Sequence, residues 1–118
     1  MAKPGVVKLN DHYKGDTFNG IQYTLLNSSD SSPINLTGVV IKTQFRTTSK
    51  KGSVILEITS GSGITISDAV NGVFSFDSLI IDWSAGTYYY DVEITFSNGV
   101  VKSYIEGTIE ILQDITNG

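Results

Sequence analysis

Tyr88-Tyr89-Tyr90-Asp91-Val92-Glu93-Ile94-Thr95-Phe96-Ser97-Asn98-Gly99-Val100-Val101-Lys102-Ser103-Tyr104-Ile105-Glu106-Gly107-Thr108-Ile109 is the stretch that decides the fold. Two alternating polar and apolar runs flank Asn98-Gly99, a dipeptide that accepts the positive φ angles of a two-residue type I′ hairpin turn. With Ser97 facing Val100, the register follows by counting. Tyr88, Tyr90, Val92, Ile94 and Phe96 share one face and meet Ile109, Gly107, Ile105, Ser103 and Val101. Tyr89, Asp91, Glu93 and Thr95 share the other face with Thr108, Glu106, Tyr104 and Lys102. A one-residue slip would exchange the faces of one strand, so the agreement of both apolar faces checks the turn.

Upstream, Val39, Ile41, Thr43 and Phe45 alternate with Val40, Lys42, Gln44 and Arg46, which predicts a half-buried strand ending in the polar loop 47–52. Val54, Leu56 and Ile58 share a face of the next strand. Ile64 to Ile66 and Val73 to Phe76 read as shorter strands around a turn at 68–72, with Phe74 and Phe76 inward. Val6 to Leu9 and Ile21 to Leu26 supply two more, and no helical period survives beyond a turn. Composition agrees: Ile, Val and Thr make up 36 of 118 residues, against 3 Ala, 4 Glu and 7 Leu. This length is one domain, 1–118, with no room for a second core. About seven or eight short strands at this turn spacing predict an all-β antiparallel sandwich.

Ala85-Gly86-Thr87-Tyr88-Tyr89-Tyr90 resembles the approach to the penultimate strand of immunoglobulin domains. There a tyrosine lies two residues before the second cysteine, and its hydroxyl ties back to the corner. Tyr88 takes that tyrosine's place and Tyr90 the cysteine's. The expectation is therefore an immunoglobulin-like sandwich without a disulfide, since the chain has no cysteine. Its core is drawn from Val39, Ile41, Phe45, Leu56, Phe74, Phe76, Tyr88, Val92, Ile94, Phe96, Ile105 and Ile109.

Composition also narrows the chemistry. Without cysteine there are no thiolate metal sites, iron-sulfur clusters or cysteine nucleophiles. His12 is the single histidine. Beside Asp11 and Asp16 it permits a hydrolase triad on paper, but no Gly-x-Ser-x-Gly elbow precedes a helix, and an exposed histidine in a terminal strand or loop is the better reading. No enzyme activity and no cofactor are expected. A net charge of -4 opposes nucleic-acid and anionic-membrane roles. Arg46, Lys50 and Lys51 at one hairpin end read as a solvated loop. The register sets Asp91 opposite Glu106, a destabilising like-charge pair. Two carboxylates fall short of the oxygen shell of a calcium ion, so relief by Lys102, Lys42 or a partner chain is expected instead. The N-terminal residues offer neither an export signal nor a span, which predicts synthesis in the cytoplasm.

Over nearly its whole length the chain resembles small immunoglobulin-like virion proteins of bacteriophages and prophages. The resemblance rests on Lys14-Gly15-Asp16-Thr17-Phe18, on Pro33-Ile34-Asn35-Leu36-Thr37-Gly38, on Gly72-Val73-Phe74-Ser75-Phe76 and on Ala85 to Val92, in that order. The closing residues 107–116 also fit, while the Ser-rich stretch 28–32 departs from the pattern. The resemblance implies a non-catalytic adaptor or decoration of tail, baseplate, neck or capsid, made in the bacterial host and carried in the virion. Its partners would be other virion proteins and symmetric copies of itself. A rival reading is a carbohydrate-binding module that recognises host glycans through exposed Tyr89, Tyr104 and Trp83.

Contact residues are expected where apolar side chains occupy both parities of a strand. Val54-Ile55-Leu56-Glu57-Ile58 does so and turns Ile55 to solvent, and Ile80-Ile81 repeats the pattern beside Trp83. Ile55, Ile80, Ile81, Trp83, Tyr89 and Tyr104 are thus the candidate partner-binding residues. Val6 to Leu9, with Pro4 before it and Lys8 within it, reads as a protected edge.

Overall fold

The structure, a computed structural model, describes residues 5–6, 8–27, 30–47 and 52–113. The chain forms β1 (Gly5–Val6), β2 (His12–Tyr13), β3 (Thr17–Phe18), β4 (Ile21–Thr24), β5 (Val40–Thr47), β6 (Val54–Ser60), β7 (Gly63–Asp68), β8 (Val73–Phe76), β9 (Leu79–Ile80), β10 (Gly86–Thr95) and β11 (Val101–Leu112). Seven of these run four residues or longer, and there is no helix among the described residues. The four two-residue strands come from the chain's first edge and from the β3–β9 pair.

The strands hydrogen-bond in the order β1-β11-β10-β5-β6-β7-β8-β4, with β2 following β1 along β11 and β3 pairing β9. The sheet folds over where β6 meets β7, through only Thr59↔Gly63 and Ser60↔Ile64. One layer is therefore β1/β2-β11-β10-β5-β6 and the other β7-β8-β4. Most pairs are antiparallel, but β1 and β2 run parallel to β11, and β6 runs parallel to β7. The sandwich is mixed where the sequence reading expected a purely antiparallel one. Phe18↔Leu79 and Ile21↔Phe76 lie in one register, so β3–β9 prolongs the β4–β8 ladder past a break. Gly20 makes the break: its φ is +86°, and a Cβ there would strike the Phe76 carbonyl oxygen.

Immunoglobulin-like features appear at the residue level. Tyr88 Oη donates to the Ser84 carbonyl oxygen at 2.6 Å, which is the expected tyrosine corner. Two residues on, Tyr90 Oη lies 2.9 Å from Tyr23 Oη on the facing layer. A buried phenol-to-phenol hydrogen bond thus stands where a disulfide joins the layers in antibody domains. Phe45 stacks on Tyr90 at 5.5 Å, and Tyr23 stacks on Phe74 at 5.2 Å. Ten of the expected core residues are buried. Leu56 and Phe96 are only half-buried and pack against the core from its rim. Tyr23, Tyr90, Leu36, Ile64 and Ile111 join it.

The hairpin register holds from Tyr88↔Ile109 to Val92↔Ile105 and then changes. Phe96 N–H donates to the Val100 carbonyl and Gly99 N–H to the Phe96 carbonyl, both at 2.8 Å, and Gly99 alone in the turn has positive φ, +88°. This is a type I turn over Ser97-Asn98 followed by a left-handed glycine, not the two-residue type I′ turn. The longer turn offsets the ladder by one residue, and a bulge after Val92, with Tyr104 as the extra residue, restores it. Between turn and bulge the pairs are Glu93↔Ser103, Ile94↔Lys102 and Thr95↔Val101. Val101, expected inward, is consequently on the outer face and exposed. Lys102 moves to the opposite parity.

A second bulge corrects the expectation for Ile55. Phe45 faces Leu56 and Arg46 faces Val54, leaving Ile55 as the extra residue, half-buried against the core. Apolar side chains on both parities there record the bulge rather than a solvent-facing stripe. Ile81 is also corrected, being 2 % exposed. The Lys14–Phe18 segment closes over it: Gly15 N–H donates to the Ile81 carbonyl at 2.7 Å, and Ile81 N–H donates to the Asp16 carbonyl. Lys14 Nζ, 2.7 Å from Asp82 Oδ1, fastens the same segment. Of the protected first edge, Val6 pairs with Glu106 on β11 and Leu9 is buried, while Pro4 and Val7 fall outside the described residues.

Candidate interaction face

The outer face of β6-β5-β10-β11 is built in cross-strand rows. Val54, Arg46, Tyr89 and Thr108 make one row, and Glu57, Gln44, Asp91 and Glu106 the next. Thr59, Lys42, Glu93 and Ser103 follow, and Val40, Thr95 and Val101 end the face beside the hairpin turn. The alternation of β5 and β10 puts these side chains outward because their neighbours Ile41, Phe45, Val92 and Ile94 fill the interior.

Asp91 does stand opposite Glu106. Burial, and then the neighbouring Glu93 carboxylate, hold the Asp91 carboxyl above the usual aspartate range against the pull of Arg46. Arg46, rather than either expected lysine, is the base that acts on Asp91, and burial with Glu93 outweighs it. Lys42 Nζ sits 3.7 Å from Glu93 Oε1, and Lys102 faces the other way. The Arg46 guanidinium is held by the Gln44 side-chain oxygen and, at 3.2 Å, by the Gly52 carbonyl. Gln44 Nε2 donates to Glu57 Oε2 at 2.6 Å. Gln44, Arg46, Tyr89, Tyr90, Asp91 and Glu106 line a shallow cleft of about 80 Å³ at the centre of this face. Lys50 and Lys51 lie outside the described residues.

The candidate contact residues do not form one site. Tyr89 lines the cleft. Tyr104 lies four residues along β11 from Thr108, which faces Tyr89, or about 13 Å at ~3.3 Å per residue. It packs edge-on against Phe96 at 6.4 Å, and burial raises its hydroxyl pKa. Trp83 is half-buried between Phe45 at 5.4 Å and Tyr88 at 5.1 Å, supporting the corner from below. Ile80 is 67 % exposed on β9, opposite Thr17, on the other layer. Sequence reasoning missed Val40 and Val101, 53 % and 51 % exposed. The alternation of β5 turns Val40 outward, and the three-residue turn, not legible from Asn98-Gly99, turns Val101 outward.

His12 is half-buried on β2. Its Nε2 lies 2.9 Å from the Asp16 backbone oxygen, and its ring meets Phe18 edge-on at 5.9 Å. Backbone geometry, not a carboxylate or a serine hydroxyl, occupies that nitrogen. No cluster of three or more His, Cys, Asp or Glu side chains able to hold a metal ion occurs among the described residues. Among the described residues, no helix is long and apolar enough to cross a membrane.

No protein-family profile matches the chain, and no curated protein matches it in sequence. Among solved structures, extracellular domains 3–5 of Drosophila OTK are similar at 19 % identity and a TM-score of 0.35. That match covers 94 % of this chain and 34 % of the other, so the chain spans about a third of that structure's length.

Proposed function

We propose that this chain is a non-catalytic structural protein of a bacteriophage virion, acting as an adaptor or decoration through protein–protein contacts. What supports this reading is the resemblance carried by four stretches, in order along nearly the whole chain, each with a framework role in the fold. Lys14–Phe18 closes over Ile81. In the Pro33–Gly38 motif, Leu36 N–H donates to the Ala69 carbonyl at 2.8 Å, and the segment leads into β5. Gly72–Phe76 turns into β8, and Ala85–Val92 carries the corner into the central strand β10. The broad, half-exposed sheet face suits docking by area rather than a substrate pocket, since the ~80 Å³ cleft is far below the roughly 300–1,000 Å³ of small-molecule sites. Symmetric copies in the particle and synthesis in the bacterial cytoplasm belong to the same reading. Mass spectrometry of purified particles tests it: the chain is expected in a fixed copy number per particle, and its absence refutes the proposal.

One observation favours the glycan-binding reading. Tyr89 stands beside amide, guanidinium and carboxylate groups, the mixture that grips a sugar ring. Against it, Trp83 and Tyr104 are engaged elsewhere, so of the three candidate rings Tyr89 alone is offered at this cleft. Glycan-array binding lost on Tyr89→Ala would establish this reading, and a silent array removes it.

A further inference from the structure

The open edges of the two layers differ in how they are guarded. Backbone groups on the rim of a sheet invite another strand, and proteins blunt such rims with charges, proline, short strands or bulges. On β11 the rim is covered by β1 and β2, two residues each, in a stretch whose sequence carries Pro4, Lys8 and Asp11. On its side away from β5, β6 is broken by the Ile55 bulge and bears Glu57. The ladder of β7 shifts after Ile66, and the strand bears Asp68. β4 has none of these devices. Ile21-Gln22-Tyr23-Thr24-Leu25-Leu26 holds no charge and no proline, and β4 pairs with β8 without a register shift.

The backbone of this strand is aimed in a readable way. Leu25 N–H donates to the Gly72 carbonyl at 2.9 Å, toward the β8 side. A period of two aims Ile21 and Tyr23 the same way and turns the N–H and C=O groups of Gln22 and Thr24 to the open side. Leu26 continues the pattern. Its bridge to Pro33 is closed by its neighbours, the Leu25 carbonyl accepting from Ile34 N–H at 3.0 Å and Asn27 N–H donating to the Ser32 carbonyl at 2.8 Å. Among the described residues, no strand pairs with β4 on that open side. The side chains of Gln22, Thr24 and Leu26 are exposed, and Ile21 is half-buried at the rim of the core.

We propose that β4 pairs with β4 of a second copy of this chain, antiparallel about a two-fold axis at Thr24, joining two β7-β8-β4 layers into one continuous sheet. Gln22, Thr24 and Leu26 would each donate and accept one backbone hydrogen bond, with Thr24 facing Thr24 and Gln22 facing Leu26. The two-fold keeps parity, so outward side chains stay outward and Tyr23 of each strand meets Leu25 of the other on the inner side. Charge selects the occupant. Of the open strands of four residues or more, β6 and β7 would bring a carboxylate to a neutral rim, whereas a second β4 brings none and repeats the same polar and apolar order. The pairing deepens the symmetric-copies part of the virion reading, yet it stands on the pattern of the strand itself.

Sedimentation equilibrium of the full chain over a concentration series tests it, with NMR hydrogen exchange of the ¹⁵N-labelled chain as the local readout. The wild type is expected to pass from monomer to dimer as concentration rises. Amides of Gln22, Thr24 and Leu26 should exchange roughly tenfold more slowly as the dimer forms. Thr24→Lys sets like charges together at the axis and is expected to stay monomeric, as is Thr24→Glu, while an equimolar mixture of the two restores the dimer. Gln22→Pro removes a donor that the second copy alone uses, and it replaces Thr24→Lys if that variant does not fold. A wild type that is monomeric throughout, or a dimer that Thr24→Lys or Gln22→Pro leaves intact, overturns the proposal. Particle assays keep the two readings apart. A chain that dimerises through β4 yet is missing from purified particles refutes the virion reading alone, and a monomeric chain present in particles refutes the pairing alone.

Discussion

Tyr23 and Tyr90 bind each other in the interior, and their hydrogen bond is the polar link between the two layers at the place of the missing disulfide. Tyr23→Phe removes one partner from a buried pair and is expected to cost about 1 kcal/mol in chemical denaturation. Burial raises both phenol pKa values above the ordinary 10.0, so the folded state holds the neutral forms. Their contribution is intact below the unfolded value and is lost as pH rises beyond it, so the urea midpoint of the wild type should fall above pH ~10 and fall less steeply in Tyr23→Phe. Thr43 is fully buried on β5 with its hydroxyl lacking a hydrogen-bond partner. Thr43→Val keeps the shape and drops that group, with an expected gain of about 1 kcal/mol by the same measurement. Asp91 has its pKa raised, so the folded chain favours its protonated form and its carboxylate weakens the fold at neutral pH. Asp91→Asn is therefore expected to be slightly more stable than wild type at pH 7. The advantage should vanish below pH ~4, where both folded and unfolded wild type are protonated. A residue that weakens the fold yet sits at the centre of a surface is what a binding role would leave.

At the scale of elements, β10 is the strand on which the sandwich depends, paired along its length with both β5 and β11. Val92→Pro removes a donor from a central strand and is expected to abolish the β-type circular dichroism spectrum and the cooperative melt. The same strand shows how far the sequence could be read. Alternation in Tyr88–Thr95 against Ile105–Ile109 was legible because an interior face allows only one parity. The turn was not, because Asn98-Gly99 suits both the two-residue turn and the end of a three-residue turn, and only the Gly99–Phe96 bond separates them. The Tyr104 bulge then cancelled the error for the distant pairs and kept it for Val101, Lys102 and Ser103. Ile55 was misjudged for the same reason, since a bulge breaks the period of two on which face assignment rests. Ile81 was misjudged because what buries it, Lys14–Asp16, lies far away in sequence. Of the candidate site, the Asp91–Glu106 pair and Tyr89 were legible from the register, whereas the Val40–Val101 row was not.

For the whole molecule, one hydrogen-bonded path wraps from β1 through β6 to β4 and closes the two layers around a single aromatic centre of Tyr23, Phe45, Phe74, Phe76 and Tyr90. Loops expose Leu26, Val70 and Val100, and Val40 and Val101 are exposed at the hairpin end of the β6-β5-β10-β11 face. A particle component would bury such an end or the sheet face beside it, and a free monomer would leave both in water. The measurement that bears most directly on this account is a cryo-EM reconstruction of the purified phage particle. The account predicts density for the sandwich in symmetric copies, with β6-β5-β10-β11 against a neighbouring protein. Particles without this density, or with that sheet face open to solvent, would contradict it.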